Sequence, residues 1–419
     1  MNPIAKKILI TLGFLLIYRV LAYVPVPGVN IDIIKDFFSG HQNDALGLLN
    51  MFSGNAVSRM SIIALGVMPY ITASIIMELL AATFPKLGEM KKDSQSFQKY
   101  MQIIKYSTVV IAFIQAIGIA IGLTSMTGKM GESAVMINTT TFVILTAFSM
   151  MGGTMLLVWI GEQITERGVG NGISLIIFAG IVSAIPSAII GTLNLVDVGE
   201  LSVLGLLFIL LIVIATIAFI IYVELAERRI PVSYQKKVLM QNRFKRIMNY
   251  IPIKLNLSGV IPPIFASAIL MFPLTLLSGA TNPILVQIRD LLNPNGYLYH
   301  LLLFVLVIFF AYFYASIVFN AKDIAENLKR QGGFIPGIRP GEQTKKFLNE
   351  VASRLTFWGA LYLGLITVMP WLLIKITSIN FYFGGTAVLI VVQVAIDTMR
   401  KIQAELQMQK YDTLSITGL

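Results

Sequence analysis

The sequence predicts an all-α polytopic membrane protein of ten transmembrane helices, arranged as two inverted sets of five. Three observations predict it: the composition, the spacing of the apolar stretches, and the placing of the cations. Of the 419 residues, 56% are hydrophobic and 13% charged, and the mean hydropathy is +0.79. So few polar side chains do not coat a globule of this size in water, so much of its solvent must be lipid.

A span takes about 20 apolar residues. Ten such stretches lie near 8–25, 61–84, 103–124, 139–161, 171–191, 201–223, 258–278, 298–320, 355–376 and 382–402. The first follows Lys6 and Lys7 and has the layout of a secretory leader, but Arg19 interrupts it and no Ala-x-Ala site follows. It is therefore expected to stay as a helix. The absence of cysteine excludes disulfides, thiolate metal sites and cysteine nucleophiles.

Lys and Arg close to spans are retained on the cytoplasmic side. With the N-terminus in the cytoplasm, every cation falls in a cytoplasmic segment except Lys35, Arg59, Lys129, Arg289 and Lys375, and Arg19 inside the first span. One span more or fewer would scramble that alternation, so both termini are expected in the cytoplasm. The cytoplasmic loops at about 224–257 and 321–354 are the longest and most cationic. Retention and contact with anionic lipid account for their sign. Their length points to docking of a cytosolic partner, an acidic protein or ribosomal RNA.

Five spans per half, in 1–196 and 197–419, require any relation between the halves to be inverted in the membrane. Helix breakers fall at matching places. Span 2 carries Gly66 and Pro69, and span 7 carries Gly259, Pro262, Pro263 and Pro273. Span 5 opens with Gly168, Gly170, Asn171 and Gly172, and span 10 with Gly384, Gly385 and Thr386. Breakers are tolerated in lipid where the freed backbone groups face protein or water, so these four spans are expected to surround a cavity. Gly118 and Gly122 in span 3 fit close helix packing instead. The amphipathic segment 48–61 is about half as long as a span and reads equally as a re-entrant half-helix or a periplasmic surface helix.

Ion-coupled carriers place carboxylates, His or Arg near the bilayer midplane. Here His41 and His300 lie in loops or at a span end, Glu78, Glu162 and Asp397 lie towards cytoplasmic ends, and Arg19 is the deepest charge. There is no HExxH pair, P-loop or G-x-S-x-G elbow. No catalytic residue, metal or cofactor is expected, so any energy source lies outside the chain.

Five stretches carry a family resemblance: ALGVMPYITASIIMELL (64–80), GEQITERGVGNGISLIIFAGIVS (161–183), LNLSGVIPPIFASAILMFP (255–273), DIAENLKRQGGFIPGIRPGEQT (323–344) and FYFGGTAVLIVVQVAIDTM (381–399). In this order, and over nearly the whole chain, they resemble the SecY family of protein-conducting channels in the bacterial cytoplasmic membrane. The resemblance implies an hourglass pore whose waist is Val67, Ile71, Ile75, Ile177, Ile181, Ile264 and Ile390. Each of these taken alone fits ordinary helix packing. The isoleucines five positions after Gly172 and Gly385 favour the pore for the group. A greasy waist excludes water and ions by dewetting, yet deforms around a passing peptide.

The resemblance further implies a short plug half-helix formed by Phe52, Ser53, Gly54, Asn55, Ala56, Val57, Ser58, Arg59, Met60 and Ser61. It implies a lateral gate between spans 2 and 7, with Thr72, Ser74 and Ser267 as polar contacts or as hydroxyls bonded back to their own helices. Docking falls to Arg339, with Lys236, Lys237, Arg243, Lys245 and Arg246 as a companion patch. Implied partners are small membrane subunits of the SecE and SecG type, the SecA ATPase, a ribosome, signal peptides and preproteins, and membrane lipids. Two residues depart from the family pattern: Glu78 replaces an uncharged polar residue, and Val67 is one methylene smaller than the usual isoleucine. The rival readings are a secondary transporter of a small solute, which the inverted halves would suit, and a membrane enzyme or insertase.

Overall fold

The computed structural model describes residues 3–34, 50, 53–124, 133–199, 202–234, 249–277, 282–294, 296–377 and 385–416. A helix occupies each of the ten apolar stretches: α1 (Pro3–Leu21), α2 (Met68–Thr83), α4 (Ser94–Thr124), α5 (Thr139–Arg167), α6 (Gly172–Asp197), α7 (Val203–Leu225), α8 (Ile261–Leu276), α10 (Tyr297–Val318), α12 (Glu342–Thr377) and α13 (Gly385–Ile416). Shorter helices connect them: α3 (Pro85–Lys92), α9 (Pro283–Leu291) and α11 (Ala321–Arg330). Among the described residues six helices are long and apolar enough to cross a membrane by themselves, and the bent pair α2–α3 makes a seventh if it is one span. The others meet that standard less well for visible reasons. α1 spreads Lys6, Lys7 and Arg19 over 19 residues, α8 has only 16, and Asp397, Arg400 and Lys401 interrupt α13.

Asparagines start several of these helices by accepting from otherwise unpaired backbone donors. Asn138 takes Thr140 N–H, Asn171 takes Ser174 N–H, and Asn320 takes Lys322 and Asp323 N–H. Pro85 begins α3 on a new axis bent 116° from α2. The unusual Glu78 spans this bend and pairs with Lys91 at 3.1 Å.

The chain forms two compact units. The first comprises Met1–Ser202, Ser267–Leu301 and Ile390–Leu419, and the second Val203–Ala266 and Leu302–Leu389. In the first unit α5 packs along α4, α2 lies on α4, and α1 lies on α5 and α6. Ala73, Met77, Tyr100 and Ile104 form the α2–α4 core. Gly172 meets the Gly161 carbonyl so closely that a Cβ there would overlap it, so small residues bring α5 and α6 to backbone contact. Lys105–Glu162 (2.7 Å) and Lys7–Glu405 (3.0 Å) tie α4 to α5 and α1 to α13.

In the second unit almost none of α7 is buried. Leu204, Leu207, Phe208 and Leu211 stand exposed, as side chains dissolved in lipid would. Beyond α7 lies an element that the helical reading did not contain. β1 (Glu227–Tyr234) and β2 (Asn249–Lys254) pair antiparallel from Glu227↔Lys254 to Val232↔Asn249. β3 (Gly333–Phe334) adds to β1 to give the order β2-β1-β3. Ile230 and Val232 point inward while Arg229 and Pro231 point outward, the two-residue alternation of a half-buried strand. In so short and charged a stretch that alternation is easily missed.

Candidate channel lining, plug seat and docking surface

Residues 53–67 do not form the expected half-helix; they are a succession of tight turns ending where α2 begins. Gly54, Asn55, Met60 and Gly66 all have positive φ, at 69°, 65°, 44° and 58°. A right-handed helix does not pass through left-handed residues, and Asn55 and Met60 hold that conformation at a steric cost. Phe52 lies outside the described residues.

The segment is seated in the first unit by its buried Val57, Met60, Ile63 and Leu65 and by a set of hydrogen bonds. Tyr18 donates its hydroxyl to the Ser53 carbonyl (3.1 Å), and Arg19 donates Nη1 to the Gly54 carbonyl (2.9 Å). Ser61 Oγ donates to Leu21 O at 2.7 Å, Val26 N to Met60 O at 2.7 Å, and Ile62 N to Val24 O at 3.0 Å. Asn50 folds the segment on itself, accepting from Ser58 N (2.8 Å) and donating to Asn55 Oδ1 (3.1 Å). Arg59 lies 4.0 Å over the Tyr23 ring, and Arg19 lies 5.2 Å from the same ring. The fit requires small residues. A Cβ on Gly54 would come within 2.9 Å of Ser183 Oγ and 3.0 Å of Gly180 Cα, and one on Gly153 would overlap the Ile62 carbonyl. The deepest charge of the sequence, Arg19, thus pairs with this segment. Tyr18 gave no signal in the sequence.

Val67, Ile71 and Ile75 recur every four residues up α2, and Ile177 and Ile181 sit one turn apart on α6. All five are buried, as is Ile390 on α13. Gly180, which touches Gly54, is the neighbour of Ile181 in sequence, so the turn segment and the α6 pair share one site in the first unit. Ile264 is half-buried one turn into α8, in the second unit. Of the gate residues, Thr72 gives its hydroxyl to Met68 O (3.0 Å) within its own helix. Ser267 is buried and Ser74 half-buried.

The described parts of the two long cationic loops fold into one module of the second unit. Ile230, Ile253, Ala321, Ile335 and Leu348 form its core, with Ile338 and Phe347 packed against it. Arg339 stands exposed on the turn between Gly337 and Gly341, whose φ values of 83° and 101° suit glycine. Thr344 Oγ1 donates to the Arg339 carbonyl at 2.9 Å and fixes the turn. Lys236, Lys237, Arg243, Lys245 and Arg246 lie outside the described residues. A polar knot that the sequence did not announce ties α7 to this module. The buried Glu224 accepts from Asn256 Nδ2 at 2.7 Å, Asn256 also donates to Gly259 O, and Ser258 Oγ donates to Asn256 Oδ1.

Comparison with known proteins places these features in a family. The family model described as SecY matches residues 61–399. The protein translocase subunit SecY of Helicobacter pylori is 67% identical over 418 residues, covering 100% of this chain and 99% of that protein. The SecY subunit of Escherichia coli K12 is 42% identical, covering 99% of this chain and 94% of its own length. Among solved structures, a protein-conducting channel aligns with a TM-score of 0.67 at 18% identity, over 96% of this chain and 92% of that one. Sec61 in a canine ribosome–channel complex aligns at 0.61 and 18% identity, over 96% and 92%. At these identities the structural matches establish the fold.

Proposed function

We infer the function from one premise, which is that this chain belongs to the SecY family. It is a multi-pass membrane protein and the central pore-forming subunit of a protein translocon. It conducts unfolded preproteins across the membrane and releases membrane segments sideways into lipid. The observation that carries this reading is the seat of residues 53–67 beside buried aliphatic columns. That segment, packed by Val57, Met60, Ile63 and Leu65 and tied by Tyr18 and Arg19, adjoins α6 at Gly180, and the side chains of the proposed lining are Val and Ile, which offer no bond to a passing chain. Such a lining seals by dewetting and yields to a peptide.

In this reading Val67, Ile71, Ile75, Ile177, Ile181, Ile264 and Ile390 line the waist, Ser53–Ser61 is the plug, and α2 and α8 form the lateral gate. The halves 1–196 and 197–419 are related by inversion. The channel is passive, without catalysis of its own, and Arg339 offers its guanidinium to a SecA-type motor or to a ribosome. Small SecE- and SecG-type subunits complete the assembly in the bacterial cytoplasmic membrane, with both termini in the cytoplasm.

The absence of cysteine makes the test clean. A thiol placed singly at Ile177 or Ile390 crosslinks to a stalled secretory precursor, whereas one at Gly118 does not. Equal labelling at all three would refute the lining, and solute uptake without adducts would favour a carrier. Arg339→Glu blocks secretion while the protein stays inserted, and unimpaired export would remove the docking role.

A further inference from the structure

The helix between the gate helix and the next span has no part in the function above. α9 carries Ile284, Leu285, Ile288 and Leu291 along one side, the spacing of a single helical face. None of its residues is buried, and these four are 66%, 38%, 42% and 62% exposed. Of its half-buried residues, Val286 lies opposite the Ile284–Ile288–Leu291 line and Arg289 lies beside Leu285 at the edge of the stripe. The helix therefore turns its polar-flanked back to the protein and its greasy stripe outward. In water, that arrangement would have no reason to persist.

We propose that α9 is an interfacial anchor, lying in the plane of the membrane with this stripe among the lipid headgroups and upper acyl chains. Three observations select lipid as the occupant. Connections of only a few residues join α9 to α8 on one side and to α10 on the other, which keeps it at the surface where those helices enter the bilayer. Tyr297, at the start of α10, is 73% exposed, and Leu298 and Leu301 are exposed just beyond it. An aromatic at that depth above lipid-facing leucines marks the interface, so the stripe of α9 continues a surface that lipid already covers. Finally, Arg289 pairs with Asp290 at 3.2 Å, leaving the helix neutral; burial of apolar surface, not attraction to anionic headgroups, holds it down. The anchor fixes the end of α8 at lipid level. It requires only that α8 and α10 span the membrane, so it stands or falls apart from the translocation reading.

Single cysteines at Ile284, Ile288, Leu291, Gln287 and Asp290 of the full chain, each carrying an environment-sensitive dye, test this in phosphatidylcholine vesicles. The dyes at 284, 288 and 291 should emit to the blue, be quenched by lipids brominated near the headgroup and resist aqueous iodide, with the reverse at 287 and 290. Replacing part of the lipid by phosphatidylglycerol should leave the pattern unchanged. Equal access of iodide to all five positions would overturn the proposal. So would shielding of 284, 288 and 291 from both quenchers, which would mean that a protein surface covers the stripe. A cysteine at Leu285 gives a second reading of the same face should any one label disturb the helix.

Discussion

Two regions of this protein outside the long spans are held together differently. Residues 53–67 bury Val57, Met60, Ile63 and Leu65 and are in addition tied by hydrogen bonds to Tyr18, Arg19 and backbone donors. The module of the two long loops is secured by Ile230, Ile253, Ile335 and Leu348, buried at a three-stranded sheet. A hydrogen bond exchanged for one to water costs about 1 kcal/mol net, so the polar ties of the first region are each worth little. Aliphatic burial has no such substitute, since each large side chain is worth about 1.5–3 kcal/mol against water. Both regions have apolar burial, and the turn segment differs in carrying hydrogen bonds from α1 side chains onto its backbone.

Mutations break or sharpen that contrast. The largest effect belongs to Leu348→Ala, which leaves a cavity in a fully buried site and costs the module about 2–5 kcal/mol. Hydrogen exchange in nanodiscs should show faster exchange across Ile230 and Ile253 with the turn segment unchanged. Arg19→Ala removes a charged donor from the Gly54 carbonyl. It should loosen residues 53–61 by about 1.5–3 kcal/mol, read as faster exchange there and greater ion leak in reconstituted vesicles, with the module unaffected. Tyr18→Phe keeps the ring and loses only the bond to Ser53 O, so the same readouts should move by about 1 kcal/mol. Loosening of both regions by any one of these would dissolve the distinction.

The smallest effect lies outside both regions. Asp93, at the start of α4, accepts from Ser96 N (3.1 Å) and Gln95 N (3.4 Å). Hydrogen bonding from Ser96, with backbone donors after it, holds its carboxyl below the usual value of 3.8. A depressed carboxyl stabilises the fold above its unfolded pKa and loses that contribution as pH falls through the lower, folded one. Acidification below about pH 4 should therefore fray the first turn of α4, and Asp93→Asn should remove this pH dependence from the exchange of Ser96.

The ten helices were legible because each rests on local evidence, about 20 apolar residues and flanking charge. The turns at 53–67 were not. Their amphipathic pattern suits a short helix, and the left-handed Asn55 and Met60, like the close approach of Gly54 to Gly180 and of Gly153 to Ile62, arise only in the folded chain. The sheet was hidden because the alternation in β1 covers only about four residues of a charged loop, too few to mark a strand, and because its partner β3 is about a hundred residues away in the chain.

By itself, then, the sequence determined which segments enter lipid, because transfer of an apolar side chain depends on that side chain and its immediate neighbours. It also marked Arg19 as the deepest charge, left either to snorkel or to find a partner. Only the tertiary structure decided that this partner is the Gly54 carbonyl, that Glu224 is answered by Asn256, and that two distant loops share one core. Hydrogen bonds and close packing depend on which groups the fold brings within about 3 Å of one another, and that information is not local to any stretch of the chain.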